Sequence, residues 1–158
     1  MTEPRWLDET QQAAWQAMLV VFSRAFPEIE RAMRPHGILA VQYGVLVALS
    51  QAPGRSLRLG DLAAHANMSQ SRLTHRMRDL VAHGDVEVAD DPHDRRSKRA
   101  TLTETGLDRL RSLAPHHVET VQSIVFDHLT AQQTAALADA MSSIAASLCD
   151  RSQERVDP

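Results

Sequence analysis

The 158 residues are 43% apolar and 23% charged, a globular composition that excludes a disordered chain. A single cysteine, Cys149, excludes a disulfide framework or a four-cysteine zinc site within the chain. The formal net charge of −3 advertises no polyanion partner, yet Arg55 to Arg99 holds nine basic and seven acidic residues, against eight and thirteen elsewhere.

The first residues, Met1 to Asp8, carry Glu3, Arg5 and Asp8 without a long apolar run, which argues against a signal peptide. No uncharged apolar stretch reaches about 18 residues, so no membrane span is expected and a cytoplasmic location follows. Trp15, Leu19, Phe22, Phe26, Ile29 and Met33 recur at steps of three and four. They predict a helix from near Asp8 to before Gly37, kinked or broken at Pro27. Gln42 to Ser50 reads as a second helix with Val45, Leu46 and Leu49 inward, ended by Pro53-Gly54. Leu57 to Ala66 reads as a short helix with Leu59, Leu62, Ala63 and Ala66 on one face, and Asn67-Met68 breaks it. Ser69 is a good N-cap for the next helix, where Leu73, Met77 and Leu80 share a face and Gly84 supplies the stop.

Two short alternating runs follow. Val86 and Val88 point one way, as do Ala100 and Leu102, around a long charged loop from Ala89 to Arg99. The remainder is helical. Thr103 can cap a helix carrying Leu107, Leu110, Val118, Val121 and Val125, bent at Pro115. Thr130 can cap a last helix with Leu137, Met141, Ile144 and Leu148 in a stripe, on which Cys149 is expected to be a buried, inert thiol.

Two short helices, a tight turn and an immediate hairpin make a winged helix-turn-helix, in a mainly α fold with a small β-wing. With Leu73, Met77 and Leu80 buried, Ser71, His75, Arg78 and Ala82 face outward and Arg72, Thr74 and Arg76 flank them. That surface suits a DNA major groove: small or polar groups reach base edges, and arginines reach phosphates. Ser69, Gln70 and Ser71 sit at the helix start, where bases are nearest. The wing candidates are Asp94, Arg95, Arg96, Lys98 and Arg99. The cations contact DNA, and Asp94 braces an arginine. Core or dimer packing is the better explanation of the aromatic stripe, and Trp15, Met18, Phe22, His36 and Tyr43 are the candidates to line an effector crevice. His116 and His117 are adjacent and cannot easily share one ion, so neither a metal nor a cofactor is expected. No nucleophile motif, phosphate loop or placed carboxylate pair suggests an enzyme.

Gln42 to Gly106 resembles the MarR family of bacterial transcription regulators. The resemblance rests on Leu62-Ala63, on Ser69, Ser71 and Thr74, on Asp91-Pro92-His93-Asp94-Arg95-Arg96, and on Leu102-Thr103 with Gly106. It implies a homodimer, intertwined through N- and C-terminal helices, whose two winged units read a pseudo-palindromic operator. It also implies Arg96 as the minor-groove residue and small-molecule control, hence a ligand-responsive repressor. The expected division is 1–37 and 103–150 for dimerisation, 38–102 for DNA, and 151–158 as a polar tail. Two departures stand out: Asp85 replaces an apolar residue, and the basic charge usual near Glu87 or Val88 is missing. With Asp90 and Asp91 they keep open a rival, a winged-helix protein-interaction module that has lost DNA binding. A small metal-dependent enzyme using the histidines is a further rival.

Overall fold

A computed structural model describes residues 4–153; the polar tail expected at 151–158 lies outside the described residues from 154 onward. The elements are α1 (Glu9–Met33), α2 (Ala40–Gln51), β1 (Ser56–Arg58), α3 (Leu59–His65), α4 (Gln70–Ala82), β2 (Val86–Asp91), β3 (Asp94–Leu102), α5 (Glu104–Ile124) and α6 (Ala131–Gln153). Residues up to Val118 form one compact unit and those from Glu119 a second. The mainly helical fold with a small three-stranded antiparallel sheet, ordered β1-β3-β2, agrees with the sequence expectation.

Local chemistry starts each helix where a polar cap allows. At α1 the Asp8 carboxylate accepts from the Gln11 N–H at 2.8 Å, while Gln11 Oε1 accepts from the Asp8 N–H. The helix does not break at Pro27 but runs through it. Thr103 caps α5 by accepting from the Gly106 N–H, and α5 likewise continues through Pro115. Thr130 caps α6, paired with Gln133.

The core of the first unit is built from the predicted stripes. Leu46, Leu49, Leu62, Leu73, Met77 and Leu80 are almost completely buried, joined by Val86, Ala100 and Leu102 from the sheet and by Leu110 and Leu113 from α5. Each of the leucine, methionine and valine side chains contributes roughly 1.5–3 kcal/mol through burial. Val88 departs from the alternation: it is part-exposed, because beyond Val86 the ribbon leaves the core. Gln42 is buried too. Its amide donates to the Arg76 carbonyl at 3.0 Å and to the Asp79 carboxylate at 3.1 Å, pinning α4 to α2.

Three details correct the expectations. Leu57 and Arg58 belong to β1 (Ser56–Arg58), not to the helix, with Ser56 paired to Thr101 and Arg58 to Arg99. The segment from Ala89 to Arg99 is not a long loop: β2 and β3 stay paired out to Asp91 and Asp94, leaving Pro92-His93 as the turn. Cys149 is exposed on α6, because the stripe of Leu137, Ile144 and Leu148 beside it is itself uncovered in the single chain.

Candidate nucleic-acid interface

The turn between α3 and α4 is closed by Asn67, whose φ of 49° is left-handed, and by the Met68 N–H donating to the Ala63 carbonyl. Ser69 then caps α4, accepting from the Arg72 N–H at 3.4 Å, and its hydroxyl lies 3.2 Å from that of Ser71. Leu73, Met77 and Leu80 fix the rotation of α4 by burial. Gln70, Ser71, Arg72, Thr74, His75, Arg76 and Arg78 are consequently exposed together, as is Ser69 before them. Among the described residues Arg78 pairs with neither of the nearby acids Asp79 and Asp85. Asp79 is held by Gln42, and Asp85 by Arg109.

The wing sorts its charges. Asp94 accepts from the Ser97 hydroxyl at 2.7 Å and from the Arg96 N–H at 3.0 Å, and these two bonds hold its carboxyl below the usual range. It therefore braces the backbone at Arg96, not an arginine side chain. The Arg96 guanidinium is exposed and has no partner among the described residues. Lys98 pairs with Asp90 at 2.9 Å on the surface, an interaction that solvent and salt weaken. Arg99 instead turns along the sheet, donating to the Ser56 hydroxyl and carbonyl and approaching Asp91 at 3.4 Å. The side chain of Arg95 lies outside the described residues.

The acidic departures are largely neutralised inside the fold. Asp91 is buried, with its carboxyl lowered to about 2 by the His93 N–H and then by Arg58 and Arg99. Arg58 and Arg99 are directly opposite across two strands, and Asp91 between them removes their repulsion. Asp85 is 1% exposed and ion-paired with Arg109, which also donates to the Gly37 carbonyl at 2.9 Å. Next to it Gly106 packs so closely that a methyl group there would overlap the Asp85 carbonyl oxygen.

The effector candidates are placed in two groups. Trp15, Met18 and Phe22 lie along α1, with both aromatic rings about half exposed. His36 stacks on His116 at 4.0 Å, and buried Tyr43 meets His117 at 4.5 Å. The two α5 histidines were considered in the sequence only for metal binding. Among the described residues no group of three or more ligating side chains could hold a metal ion. A cavity of about 460 Å³ lies elsewhere, between α4 and the wing, with Leu59, Met77, Val81 and Val88 in its wall. Periodicity did not indicate it, since it needs α4 and the ribbon side by side.

Burial pushes the His117 imidazole below its ordinary 6.5, and its buried Nδ1 has no hydrogen-bond partner. The fold therefore favours the neutral ring. The unfolded chain takes up the proton first as pH falls, so this contribution is present above pH 6.5 and lost on acidification. Thermal melts at pH 7.5 and about 5.5 should show a smaller acid loss in His117→Phe than in the unaltered protein. An equal loss in both would remove the assignment.

Comparison with known proteins gives concordant results. The sequence pattern of the MarR family matches residues 36–97. A stretch of 77 residues is 35% identical to the transcriptional activatory protein BadR of Rhodopseudomonas palustris, covering 48% of this chain and 44% of that protein's own length. The fold is similar to that of AbsC, a MarR family transcriptional regulator from Streptomyces coelicolor, with a TM-score of 0.81 and 35% identity over 93% of this chain and 99% of that one. It is similar as well to Sco3205, a MarR family regulator from the same organism solved in complex with DNA, with a TM-score of 0.80 and 38% identity over 90% of each chain. Among the described residues no helix is long and apolar enough to cross a membrane. With two such relatives matched over nearly their whole length, on a fold that carries a helix-turn-helix and a paired wing, this chain belongs to the MarR family of transcription regulators.

Proposed function

We propose that the protein is a homodimeric, sequence-specific DNA-binding regulator. It places α4 in the major groove of each half-site and the wing in the adjacent minor groove. The observation that carries this reading is the exposed polar face of α4 beside a backbone-braced Arg96 whose guanidinium has no partner among the described residues. In this reading Gln70, Ser71, Thr74 and His75 approach base edges, and Arg72, Arg76 and Arg78 approach phosphates. Arg96 enters the minor groove with Arg95 and Lys98 nearby, while Arg99 stiffens the ribbon from within. The DNA complex of Sco3205 lends support, since this chain is similar to it over nine-tenths of its length.

Dimerisation is assigned to residues 1–37 and 103–150, and DNA binding to 38–102. The support is apolar surface that a single chain leaves open: Trp15, Leu19, Phe22 and Phe26 on α1, and Leu137, Ile144 and Leu148 on α6. A two-fold dimer would set its recognition helices about 34 Å apart, matched to a pseudo-palindromic operator. For a small apolar or aromatic effector the candidates remain Trp15, Met18 and Phe22 along α1, and His36 and Tyr43 beside the α5 histidines. With such an effector the protein is read as a ligand-responsive repressor.

Sedimentation tests the DNA reading and the dimer together. The free protein should sediment as a dimer at micromolar concentration and should co-sediment with duplex DNA at low salt, losing it as salt rises. A stable monomer would remove the dimer. A dimer that never co-sediments with DNA would favour the protein-interaction module instead.

A further inference from the structure

A polar cavity of about 240 Å³ opens between the first turn of α3 and the wing, with Arg58, Gly60, Asp61, Gln70, Arg96 and Lys98 in its lining. Three cations face one carboxylate there. Arg58 is the best fixed of them. Its Nε donates to Asp91 at 2.9 Å, and Asp91 is wholly buried, held in turn by the His93 N–H and Arg99. That carboxylate cannot swing outward, so it aims the guanidinium. The two terminal nitrogens of Arg58 make no hydrogen bond among the described residues, and 46% of the side chain is exposed. Gly60 leaves open space where a side chain would begin.

We infer that this cavity seats a backbone phosphate of DNA, with Arg58 as a phosphate-binding residue. The inference rests on the DNA-binding reading and extends it to a residue outside the recognition helix and the wing tip. A planar guanidinium whose Nε is already anchored presents its free edge as a fixed fork, the geometry a phosphate's paired oxygens accept. The cavity lies between Gln70 at the start of α4 and Arg96 and Lys98 of the wing. A strand passing from major to minor groove between those two elements must cross it. Lys98 can join, because its exposed pair with Asp90 is weak.

The test is the salt dependence of binding to a mixed-sequence duplex of about 30 base pairs, followed by fluorescence anisotropy from about 50 to 300 mM salt. Arg58→Ala should lower the slope of log affinity against log salt by about one per subunit, and weaken all sequences alike. Arg58→Gln keeps an N–H at the Nε position for Asp91 and loses the charge and the terminal fork. It should give the same slope change, and it decides the matter if the alanine variant melts abnormally. Arg111→Ala, whose arginine pairs with Asp108 on α5, should leave the slope unaltered. A folded Arg58→Gln with the original slope would overturn the phosphate assignment and leave the DNA reading standing. Absence of salt-dependent binding by the unaltered protein would bring down both.

Discussion

Replacing Arg96 by alanine should cost a dimer on the order of a hundredfold or more in operator affinity, from about 1–3 kcal/mol lost in each subunit. Nothing in the fold depends on this side chain, since its guanidinium has no partner among the described residues. What the structure fixes is its backbone, through the Asp94 carboxylate and the Ser97 hydroxyl. The arginine is thus free to meet DNA without first breaking an ion pair, in contrast to Lys98 and Arg99. A narrow minor groove has the negative potential that rewards such a cation. The melting temperature should stay within a degree or two of that of the unaltered protein. A gel-shift titration on operator fragments selected from genomic DNA measures the loss. Undiminished affinity would remove the wing from the interface.

Asp85→Ala should destabilise the fold by about 3 kcal/mol, because removing one partner of a buried pair strands the other charge. Arg109 is 22% exposed, so solvent can reach it only partly, and its second contact, to the Gly37 carbonyl, cannot replace a carboxylate. The double change Asp85→Leu with Arg109→Leu should recover most of the loss, since an apolar pair of similar volume avoids desolvating two charges. Urea denaturation of the single and double variants decides this. If Asp85→Ala lies within about 0.5 kcal/mol of the unaltered protein, the pair is not a structural tie. The pair joins the end of the recognition helix to α5 and to the turn before α2, so it fixes where α4 sits.

Most of the helical framework was legible in the sequence because its signals are local. Ser69, Thr103 and Thr130 each cap the helix that their hydroxyl predicts, and α1 begins beside Asp8 where its stripe places the start. The stripe of Leu73, Met77 and Leu80 fixed the outward face of α4 before any fold was known. Non-local pairing was not legible. Ser56-Leu57-Arg58 is too short to show a period of two, and its partner strand lies more than forty residues away. The outer wing hides its strands for another reason: a ribbon in solvent on both faces has no apolar alternation to reveal it. The same blindness made Asp85 and Asp91 look like charges set against DNA. Their partners Arg109, Arg58 and Arg99 come from other elements, and only the fold brings them within reach.

Because β2 and β3 remain paired from Val86–Leu102 to Asp91–Asp94, the wing is a ribbon whose tip follows any tilt of its base. Six residues of ribbon extend roughly 20 Å, so an angular change of about 5° at its base sweeps the tip by nearly 2 Å. Displacement on that scale is enough to make or undo a guanidinium hydrogen bond. A tilt too slight to disturb the packing of the core could therefore withdraw Arg96 from a groove or return it there.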